Sequence, residues 1–325
     1  MSKDQKIFKI ALDVPVNKLF DYIYDDASIK IGQYVKVPFG KRNLIGICCE
    51  ISNESEIPVE KLKFIISTEN EIVFDESMLK LLYFVSDYYH HPIGQTIMSV
   101  VPNRIKKNSL TSKKKELIFK ADACLTIEVI ENLPPRQLRL KKVAHAILKK
   151  DLRQKDLSKL VSNGSECIGR LEKMGLISSE VFIQEISRSQ QNQPILNKEQ
   201  RKVVDEINNN KSFKPWLIHG VTASGKTEVY MNLIANFLEN SQTQALVLVP
   251  EINLTPQLEE RFQNRFFDKK IVVLHSYLSD IERLDNWRDS KLGNADIVIG
   301  TRLGVFTPMP NLKIIIIDEE HDPSF

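Results

Sequence analysis

The feature that most constrains the fold is a glycine-rich segment, Gly220–Thr227, with the sequence G-V-T-A-S-G-K-T. It lies between the apolar run Trp216–His219 and a helix-like segment that begins at Glu228. Between a strand and a helix, such a loop points backbone N–H groups at phosphate oxygens, its lysine neutralises the β- and γ-phosphates, and its threonine hydroxyl reaches Mg²⁺. The pattern therefore predicts an α/β sheet that binds a nucleoside triphosphate, although a bare match also occurs by chance.

An acidic strand end further along the chain supports this prediction. The run Ile314–Ile317 is followed by Asp318-Glu319-Glu320-His321, and strands that are apolar throughout are usually buried in parallel sheets, whose ligand sites lie beyond their carboxyl ends. We expect Asp318 and Thr227 to hold Mg²⁺, Glu319 to orient the attacking water and Lys226 to neutralise the phosphate; the alternative is a solvated strand end. The expected nucleotide contacts are Gly220, Val221, Thr222, Ala223, Ser224, Gly225, Lys226 and Thr227.

The length of 325 residues favours two or three domains. The net charge of +3 is too small to identify a polyanionic partner, but residues 104–115 contain six basic residues and no acid, and residues 136–155 contain eight basic residues and one acid. Such runs are either solvated faces or a nucleic-acid surface, and the two interpretations are about equally supported.

The four cysteines, Cys48, Cys49, Cys124 and Cys167, contain no C-x-x-C pair, so neither a zinc ribbon nor a disulfide framework can be inferred. We expect them to be buried thiols. The sequence contains neither a signal peptide nor an apolar run long enough to span a membrane, which favours a cytoplasmic protein without a membrane partner.

Residues 1–103 are predicted to form a β-rich domain. Strands are expected at Ile7–Val14, Tyr34–Phe39 and Leu44–Ile51, and a helix at Ser77–Tyr89. Residues 104–133 are lysine-rich, and we interpret them as a basic linker.

Residues 134–186 have a different pattern. Helices are expected at Leu138–Lys150, Gln154–Val161 and Ser165–Met174, followed by a strand at Leu176–Ile183. This is the element order of a winged helix, but small three-helix units also serve as spacers, so DNA contact is one of two alternatives. The polar segment 187–194 is expected to be a linker.

Residues 195–325 alternate between strands and helices. Strands are expected at 216–219, 245–249, 271–274, 296–299 and 314–317, with helices at Pro256–Phe266 and Asp280–Asp289. This alternation predicts a doubly wound α/β fold of the RecA-like P-loop motor type, incomplete at its C-terminal end.

Residues outside the phosphate loop favour one class of motor. Gln200 precedes the loop by twenty residues, where a helicase glutamine reads adenine with its amide. Thr301 and Arg302 follow a strand and offer a hydroxyl and a guanidinium to a phosphodiester backbone. Together with Asp318–His321, this series resembles the motifs of superfamily 2 helicases.

Longer phrases resemble one family, the primosomal replication-restart helicases, over nearly all 325 residues. They are Gly220–Tyr230, Val249–Gln257, Leu274–Ser276, Ile299–Arg302 and Ile317–Asp322, together with Phe20–Tyr22, Val37–Lys41 and Asp87–Gly94 in the region that resembles the family's 3′-end DNA-binding domain. The resemblance implies a monomeric, ATP- and Mg²⁺-dependent 3′→5′ DNA helicase that recognises stalled forks by structure and restarts replication through primosome assembly. The implied partners are branched DNA, single-stranded DNA, primosome proteins and single-stranded-DNA-binding protein.

The same resemblance implies a pocket for a terminal 3′ nucleotide, formed by Phe20, Asp21, Tyr22, Gly40 and Lys63. Aromatic rings can stack on a base of any sequence, a carboxylate can accept a hydrogen bond from a 3′-hydroxyl, and a lysine can balance the nearest phosphate. From the residues alone, the alternative is a pair of core aromatics with a carboxylate that caps a turn. We interpret the adjacent His90 and His91 as structural rather than as metal ligands.

The sequence departs from the family in two respects. At Ala223 the family usually has glycine, which concerns the loop geometry. The family's eight-cysteine zinc module and its second motor lobe, with a transition-state arginine, would follow Phe325. We therefore expect zinc only in that region, and we expect residues 1–325 to bind ATP and DNA without unwinding. The alternative functions are a fork-binding scaffold with a regulatory nucleotide site, or another superfamily 2 translocase such as a restriction-type motor.

Overall fold

The computed structural model describes residues 6–25, 28–106, 117–135, 137–161, 164–181, 194–210, 212–221, 224–239, 242–251 and 255–323. The chain divides into two compact units, of which the first contains residues 1–112 and 188–325 and the second residues 113–187. The first unit thus combines an N-terminal β domain with a C-terminal α/β lobe. None of the described helices is long and apolar enough to cross a lipid bilayer.

The N-terminal β domain is built on one sheet. Its strands are β1 (Ile7–Leu12), β2 (Phe20–Ile23), β3 (Gln33–Phe39), β4 (Arg42–Ser52), β5 (Lys63–Phe64) and β6 (Ser67–Ile72). Their order in the sheet is β5-β2-β1-β4-β3-β6, with β2 and β5 parallel and the other neighbours antiparallel. The three strands expected from the sequence are confirmed, with small differences at their ends. Gly40 makes the turn from β3 to β4 with a φ of 58°, which glycine adopts without strain.

Three helices complete this domain: α1 (Glu76–Tyr88), α2 (Ile93–Ser99) and α3 (Asn103–Lys106). Helix α1, expected from the sequence, begins after Asp75, whose side chain accepts a hydrogen bond from the backbone N–H of Met78. Helix α2 lies directly on β1, because a Cβ at Gly94 would be only 2.0 Å from the carbonyl oxygen of Leu12. Glycine at this position therefore permits the close packing of helix on sheet.

The second unit packs helices against a small sheet. Its elements are β7 (Leu117–Ala121), α4 (Ile127–Glu131), α5 (Leu138–Lys149), β8 (Leu152–Arg153), α6 (Gln154–Leu160), α7 (Gly164–Lys173) and β9 (Ile177–Val181). The strands are antiparallel in the order β8-β7-β9, and α5 and α7 bury Leu140, Ile147 and Leu171 in a common core. The three helices are confirmed, and the strand that follows them is confirmed as far as Val181. The segment 187–193 lies outside the described residues.

Two expectations for this region were wrong. Residues 117–131 are not a linker, because β7 is the central strand of the sheet and α4 buries Ile130 in the core. The five residues of β7 follow a lysine-rich run, so their apolar pattern was too short to stand out. Cys124 is exposed, unlike Cys48, Cys49 and Cys167, because it lies in the connection between β7 and α4 rather than in an element that faces the core.

The C-terminal α/β lobe alternates helices with strands, as predicted. Its elements are α8 (Lys198–Asn209), α9 (Lys226–Phe237), β10 (Gln244–Leu248), α10 (Pro256–Arg265), β11 (Ile271–Leu274), α11 (Asp280–Lys291), β12 (Ile297–Gly300) and β13 (Leu312–Ile317). The four strands are parallel, in the order β11-β12-β10-β13. Their carboxyl ends therefore lie at one edge of the sheet, where ligand sites of α/β folds occur.

The strand expected at 216–219 is absent. Trp216 and Ile218 pack with Ile314 and with residues of α8 and α9, whereas Leu217 between them is 74% exposed. The run thus has the alternation of a strand without pairing to the sheet. It is only four residues long and follows Pro215, which has no N–H, so a ladder here would contribute few hydrogen bonds.

Candidate functional site

The register of the parallel sheet brings the candidate nucleotide and DNA residues to one edge. Leu248 of β10 pairs with Gly300 of β12 and with Ile317 of β13, and Leu274 of β11 also pairs with Gly300. The next residues along each strand, among them His275, Thr301 and Asp318, are therefore level with one another. The sheet brings together strand ends that are separated by up to about seventy residues of sequence, as in the pair Leu248 and Ile317.

The phosphate loop leads directly into helix α9. Gly225 caps the helix with a φ of 80°, a left-handed conformation that suits glycine, and Lys226 and Thr227 form the first turn. The N-terminus of a helix carries unpaired N–H groups and a partial positive charge, so the turn at Lys226 is suited to an anion. Thr222 and Ala223 lie outside the described residues, and Val221 is largely exposed.

Two polar side chains contact the backbone of the loop. Nζ of Lys226 donates to the carbonyl oxygen of Gly220 at 2.9 Å. Nε2 of Gln200 donates to the carbonyl oxygen of Ser224 at 3.0 Å, and Oε1 of Gln200 accepts from the backbone N–H of Asn197 at 2.9 Å. Gln200 therefore lies against the loop with both ends of its amide in use, and each end retains capacity for one more hydrogen bond.

Tyr230 joins the phosphate loop to the acidic strand end. Its hydroxyl donates to Oδ2 of Asp318 at 3.1 Å, across 88 residues of sequence. Burial and the nearby charge of Asp318 raise the pKa of Tyr230, while a hydrogen bond with Thr227 lowers it. The tyrosine thus bridges Thr227 and Asp318, the two residues expected to hold Mg²⁺.

Asp318 is partly buried, and burial raises the pKa of its carboxyl above the ordinary value, with a further contribution from the charge of Glu319. Glu319 has a φ of 51°, and its backbone N–H donates to Oδ1 of Asp318 at 3.1 Å. A left-handed conformation at a non-glycine residue costs roughly 1–3 kcal/mol and is found preferentially at functional sites. Two adjacent carboxylates, one of them held by local hydrogen bonds, form a suitable site for a divalent cation.

The residues expected to contact the DNA backbone differ in exposure. Thr301 is buried, and its carbonyl oxygen accepts from the N–H of Gly304 at 2.7 Å. Arg302 is exposed at the start of a short 3-10 turn, Arg302–Phe306. Of the two residues, the side chain of Arg302 is the one that reaches solvent.

In the N-terminal β domain, Asp21 is held by two neighbours. Oγ of Ser55 donates to Oδ2 of Asp21 at 2.6 Å, and Nζ of Lys9 lies 3.4 Å from Oδ1. Lys9 is directly opposite Asp21 in the register of β1 and β2. The carboxylate is 10% exposed, so its position is fixed while part of it still reaches solvent.

Phe20 and Tyr22 do not lie on the same face as Asp21, because side chains alternate along a strand. Tyr22 is buried in the core, its hydroxyl donates to the carbonyl oxygen of Pro38 at 3.1 Å, and burial raises its pKa to about 12. The ring of Phe20 contacts that of Phe39 edge-to-face at 5.1 Å. The structure therefore does not form one pocket from the three side chains, and Tyr22 has the core position that the alternative interpretation assigns to it.

Gly40 and Lys63 flank the same strand. Phe39 contacts Phe20, which brings the turn at Gly40 close to β2, and a Cβ at Gly40 would meet no other atom within 4 Å. Lys63 is exposed and pairs with Tyr22 at the start of β5. β5 pairs only with Tyr22 and Ile23, so it does not extend along β2 as far as Phe20 and Asp21.

Three residues of these sites were missed in the sequence. Tyr230 lies one helical turn after Thr227, so it shares that residue's helix face, a signal that could have been used. Lys9 and Ser55 contact Asp21 across 12 and 34 residues, and no local pattern predicts either contact.

Two protein-family models match separate parts of this chain, one in the N-terminal β domain and one in the C-terminal α/β lobe. Residues 9–102 match the family described as the PriA 3′ DNA-binding domain, and residues 197–324 match the DEAD/DEAH box helicases. Replication restart protein PriA of Haemophilus influenzae is 36% identical over 335 residues, which cover 98% of this chain and 45% of that protein. PriA of Synechocystis is 44% identical over 175 residues (52% of this chain, 21% of the relative), and PriA of Bacillus subtilis is 27% identical over 388 residues (95% and 48%). The chain spans about half the length of the relatives that it matches over nearly its full length.

Proposed function

We propose that this chain belongs to the PriA family of replication restart proteins and carries the DNA 3′-end-binding and ATP-binding parts of an ATP-dependent 3′→5′ DNA helicase. Such a helicase recognises stalled forks by their structure and restarts replication through primosome assembly in the cytoplasm. Its partners are branched and single-stranded DNA, primosome proteins and single-stranded-DNA-binding protein. Since the relatives are about twice as long, hydrolysis, unwinding and zinc binding belong on this proposal to the whole protein.

The nucleotide site supports this proposal through the chemistry of its side chains. Thr227 and Asp318 are the residues that would hold Mg²⁺, which neutralises phosphate charge when bound. When a nucleotide binds, Nζ of Lys226 leaves the carbonyl oxygen of Gly220 and donates to phosphate oxygens instead. The Gln200 amide uses its remaining donor and acceptor to hydrogen-bond adenine. Glu319 orients the attacking water. Positioning and charge neutralisation of this kind account for most of the catalysis of phosphoryl transfer.

We further propose that the second unit is a winged helix that contacts DNA through α5. The exposed residues of α5 include Arg139, Lys142 and Lys149. The exposed face of α7 instead pairs Glu166 with Arg170 at 3.0 Å and is close to neutral. A basic helix face is the electrostatic signature of a surface that binds phosphates.

The observation that carries the proposed 3′-end recognition is the position of Asp21 in the part of β2 that β5 does not pair. Ser55 and Lys9 hold the carboxylate, which keeps lone pairs for a further donor. A 3′-hydroxyl is such a donor, the ring of Phe20 is on the other face, and the backbone of Asp21, in the part of β2 that β5 does not pair, can bond a terminal base. Arg302 contributes a phosphate contact at the motor lobe.

Binding to two DNA forks tests this proposal. The forks differ only in whether the leading-strand 3′ end has a hydroxyl or a phosphate, and affinity for the 325-residue chain is measured by fluorescence anisotropy. A hydrogen bond to a charged group contributes about 1.5–3 kcal/mol, so we expect the blocked fork to bind about tenfold more weakly. Asp21→Ala should remove this difference, whereas Lys226→Ala, a matched control in the nucleotide site, should retain it.

Equal binding of the two forks by the wild-type chain would contradict 3′-end recognition. A difference that survives in Asp21→Ala would assign recognition to another residue. Asp21→Asn provides a second variant of the same size, which keeps the acceptor and loses the charge, so a folding defect of the alanine variant can be distinguished from a binding defect.

A further inference from the structure

Helix α11 of the α/β lobe packs into the core of the N-terminal β domain. Leu284 and Trp287 of this helix are buried in the same apolar cluster as Tyr34, Phe74 and other residues of the β domain. The rings of Trp287 and Phe74 meet edge-to-face with their centroids 6.5 Å apart. The two parts of the first unit therefore share one core, although more than 200 residues of sequence separate Phe74 from Trp287.

A cluster of charged side chains lies beside this apolar contact and also joins α11 to the β domain. Glu71 of β6 accepts two hydrogen bonds from Arg288, at 3.3 Å from Nε and 2.8 Å from Nη2, and one from Nζ of Lys291 at 3.3 Å. We call Glu71, Arg288 and Lys291 the Glu71 cluster. Its three side chains are 18–24% exposed, so the ion pairs are shielded from most solvent screening. Burial opposes ionisation of Glu71, but its two cationic partners lower its pKa below the ordinary value.

The contact with α11 and the candidate 3′-end site use different strands of the sheet. The sheet begins with β5 and β2, which carry Lys63 and Asp21, and ends with β6, which carries Glu71. Arg288 of α11 bonds Glu71 of β6, whereas β5 does not pair with Asp21. The strands of the two sites are close along the chain, because β5 and β6 are separated by only two residues.

Helix α11 also contacts the C-terminal end of β11 and the loop that follows it, in the sheet of the α/β lobe. Nη2 of Arg283 donates to the carbonyl oxygens of His275 and Ser276 at 3.2 and 3.1 Å, and Nδ2 of Asn286 donates to that of Val273 at 2.8 Å. Phe306, at the end of the turn that begins with Arg302, packs on the same core as Trp287. One helix therefore contacts the β domain, the loop after β11 and the neighbourhood of Arg302.

We propose that α11 couples the 3′-end site to the DNA-facing loops of the C-terminal α/β lobe. In this proposal the Glu71 cluster fixes the position of the β domain on α11. This inference rests on the proposed function, since it assigns DNA to both ends of the helix contact. Glu71, Arg288 and Trp287 are positioning residues in it, because their role is to join α11 to the β domain. The consequence is that a terminal 3′ nucleotide and the adjacent template strand bind to one rigid body, so that each strengthens the binding of the other.

The test uses two DNA probes with the 325-residue chain. The short probe is a 3′-hydroxyl trinucleotide, which occupies the 3′-end site alone, and the long probe is a duplex with a recessed 3′ end and a single-stranded template extension that reaches the motor lobe. Glu71→Ala and Arg288→Ala should weaken the long probe about tenfold, within the usual range of coupling between sites, and the short probe less than twofold. The double swap Glu71→Arg with Arg288→Glu should recover most of the affinity.

Lys270→Gln is the matched control. It removes the partner of Asp289 on the same helix, an ion pair of 2.6 Å that lies within the α/β lobe, and should leave both probes unchanged. Equal loss of both probes in Glu71→Ala, or no loss of either, would overturn the coupling. An effect in Lys270→Gln as large as that in Glu71→Ala would overturn the specific role of the cluster.

Thermal unfolding distinguishes failure of this inference from failure of the proposed function. We expect a single transition for the first unit in the wild-type chain and an earlier, separate transition of the β domain in Glu71→Ala. If the wild-type chain does not bind either probe, the proposed function fails, and the unfolding profile still decides whether the cluster joins the two parts. An unaltered profile in Glu71→Ala would then overturn the cluster as well.

Discussion

Asp21 in the β domain and Asp318 in the α/β lobe are both partly buried carboxylates held by a hydroxyl from a distant part of the chain, but of the two only Asp21 forms an ion pair among the described residues. Ser55 donates to Asp21 and Tyr230 donates to Asp318. Lys9 forms an ion pair with Asp21 at 3.4 Å. Among the described residues, no cation lies within ion-pair distance of Asp318, which is instead followed by Glu319.

The difference indicates which ligand each carboxylate suits. A carboxylate whose charge is already balanced has lone pairs to offer but little need for a cation, which matches a hydroxyl donor such as a 3′ end. A carboxylate that burial and a neighbouring acid destabilise gains most from a divalent ion. The two carboxylates therefore accept similar hydrogen bonds from a hydroxyl and differ in that only Asp21 is paired with a lysine.

Asp318→Asn should produce the largest effect at either site. We expect the Mg²⁺-dependent part of ATP affinity to fall by about 100-fold or more, since the variant loses a proposed metal ligand and loss of an outer-shell partner alone costs about 10–100-fold. Titration calorimetry with ATP, in the presence of Mg²⁺ and of a chelator, measures this. Asp21→Asn is the control and should leave both titrations unchanged; an equal loss in Asp21→Asn would break the comparison.

The same substitution should make the folded chain more stable at neutral pH. Burial raises the pKa of Asp318 in the folded state, so the ionised side chain destabilises the fold above that pKa, and the penalty disappears as the pH falls below the ordinary value of 3.8. Asp318→Asn should therefore unfold at a higher temperature than the wild type at pH 7, and the two should converge near pH 3.5. A variant that is less stable at pH 7 would indicate that hydrogen bonds of the carboxylate outweigh its burial.

The parts of this molecule that the sequence predicted are those set by local patterns. The apolar runs of β11 and β13 and the capped helix α11 appear where their periodicity indicated. The predicted strand at 216–219 failed because alternation of side chains does not by itself provide a partner for the backbone. Contacts over long separations could not be predicted, such as that of Tyr230 with Asp318 across 88 residues and that of Glu71 with Arg288 across 217.

The 3′-end residues illustrate a different limit. Phe20, Asp21 and Tyr22 are adjacent in sequence, which suggested a single pocket, yet the alternation of a strand separates Asp21 from both aromatic rings. The sequence analysis did not predict the strand Phe20–Ile23, and without that strand the separation could not be derived. The identity of the partners of Asp21 could not be derived either, because they depend on which strands become neighbours.

Tyr230→Phe should have a smaller effect than Asp318→Asn. The variant keeps the ring that packs on Phe262 and loses the hydroxyl that joins Thr227 to Asp318. An outer-shell partner of a metal ligand contributes about tenfold, so we expect the Mg²⁺ concentration that half-saturates ATP binding to rise by about that factor. Affinity for ATP without Mg²⁺ should not change. Equal weakening with and without Mg²⁺ would assign to Tyr230 a general structural role.

Lys9→Gln should have the smallest effect and tests the comparison most directly, because it removes the charge that distinguishes Asp21 from Asp318. A partly exposed ion pair contributes about 0–1 kcal/mol, and Ser55 still holds the carboxylate, so we expect less than a threefold loss of affinity for a 3′-hydroxyl end in anisotropy measurements. If compensation alone separates the two sites, millimolar Mg²⁺ should now improve binding to this variant and not to the wild type. If Mg²⁺ has no effect on Lys9→Gln, the adjacent carboxylate of Glu319, which has no counterpart beside Asp21, is the feature that makes Asp318 a cation site.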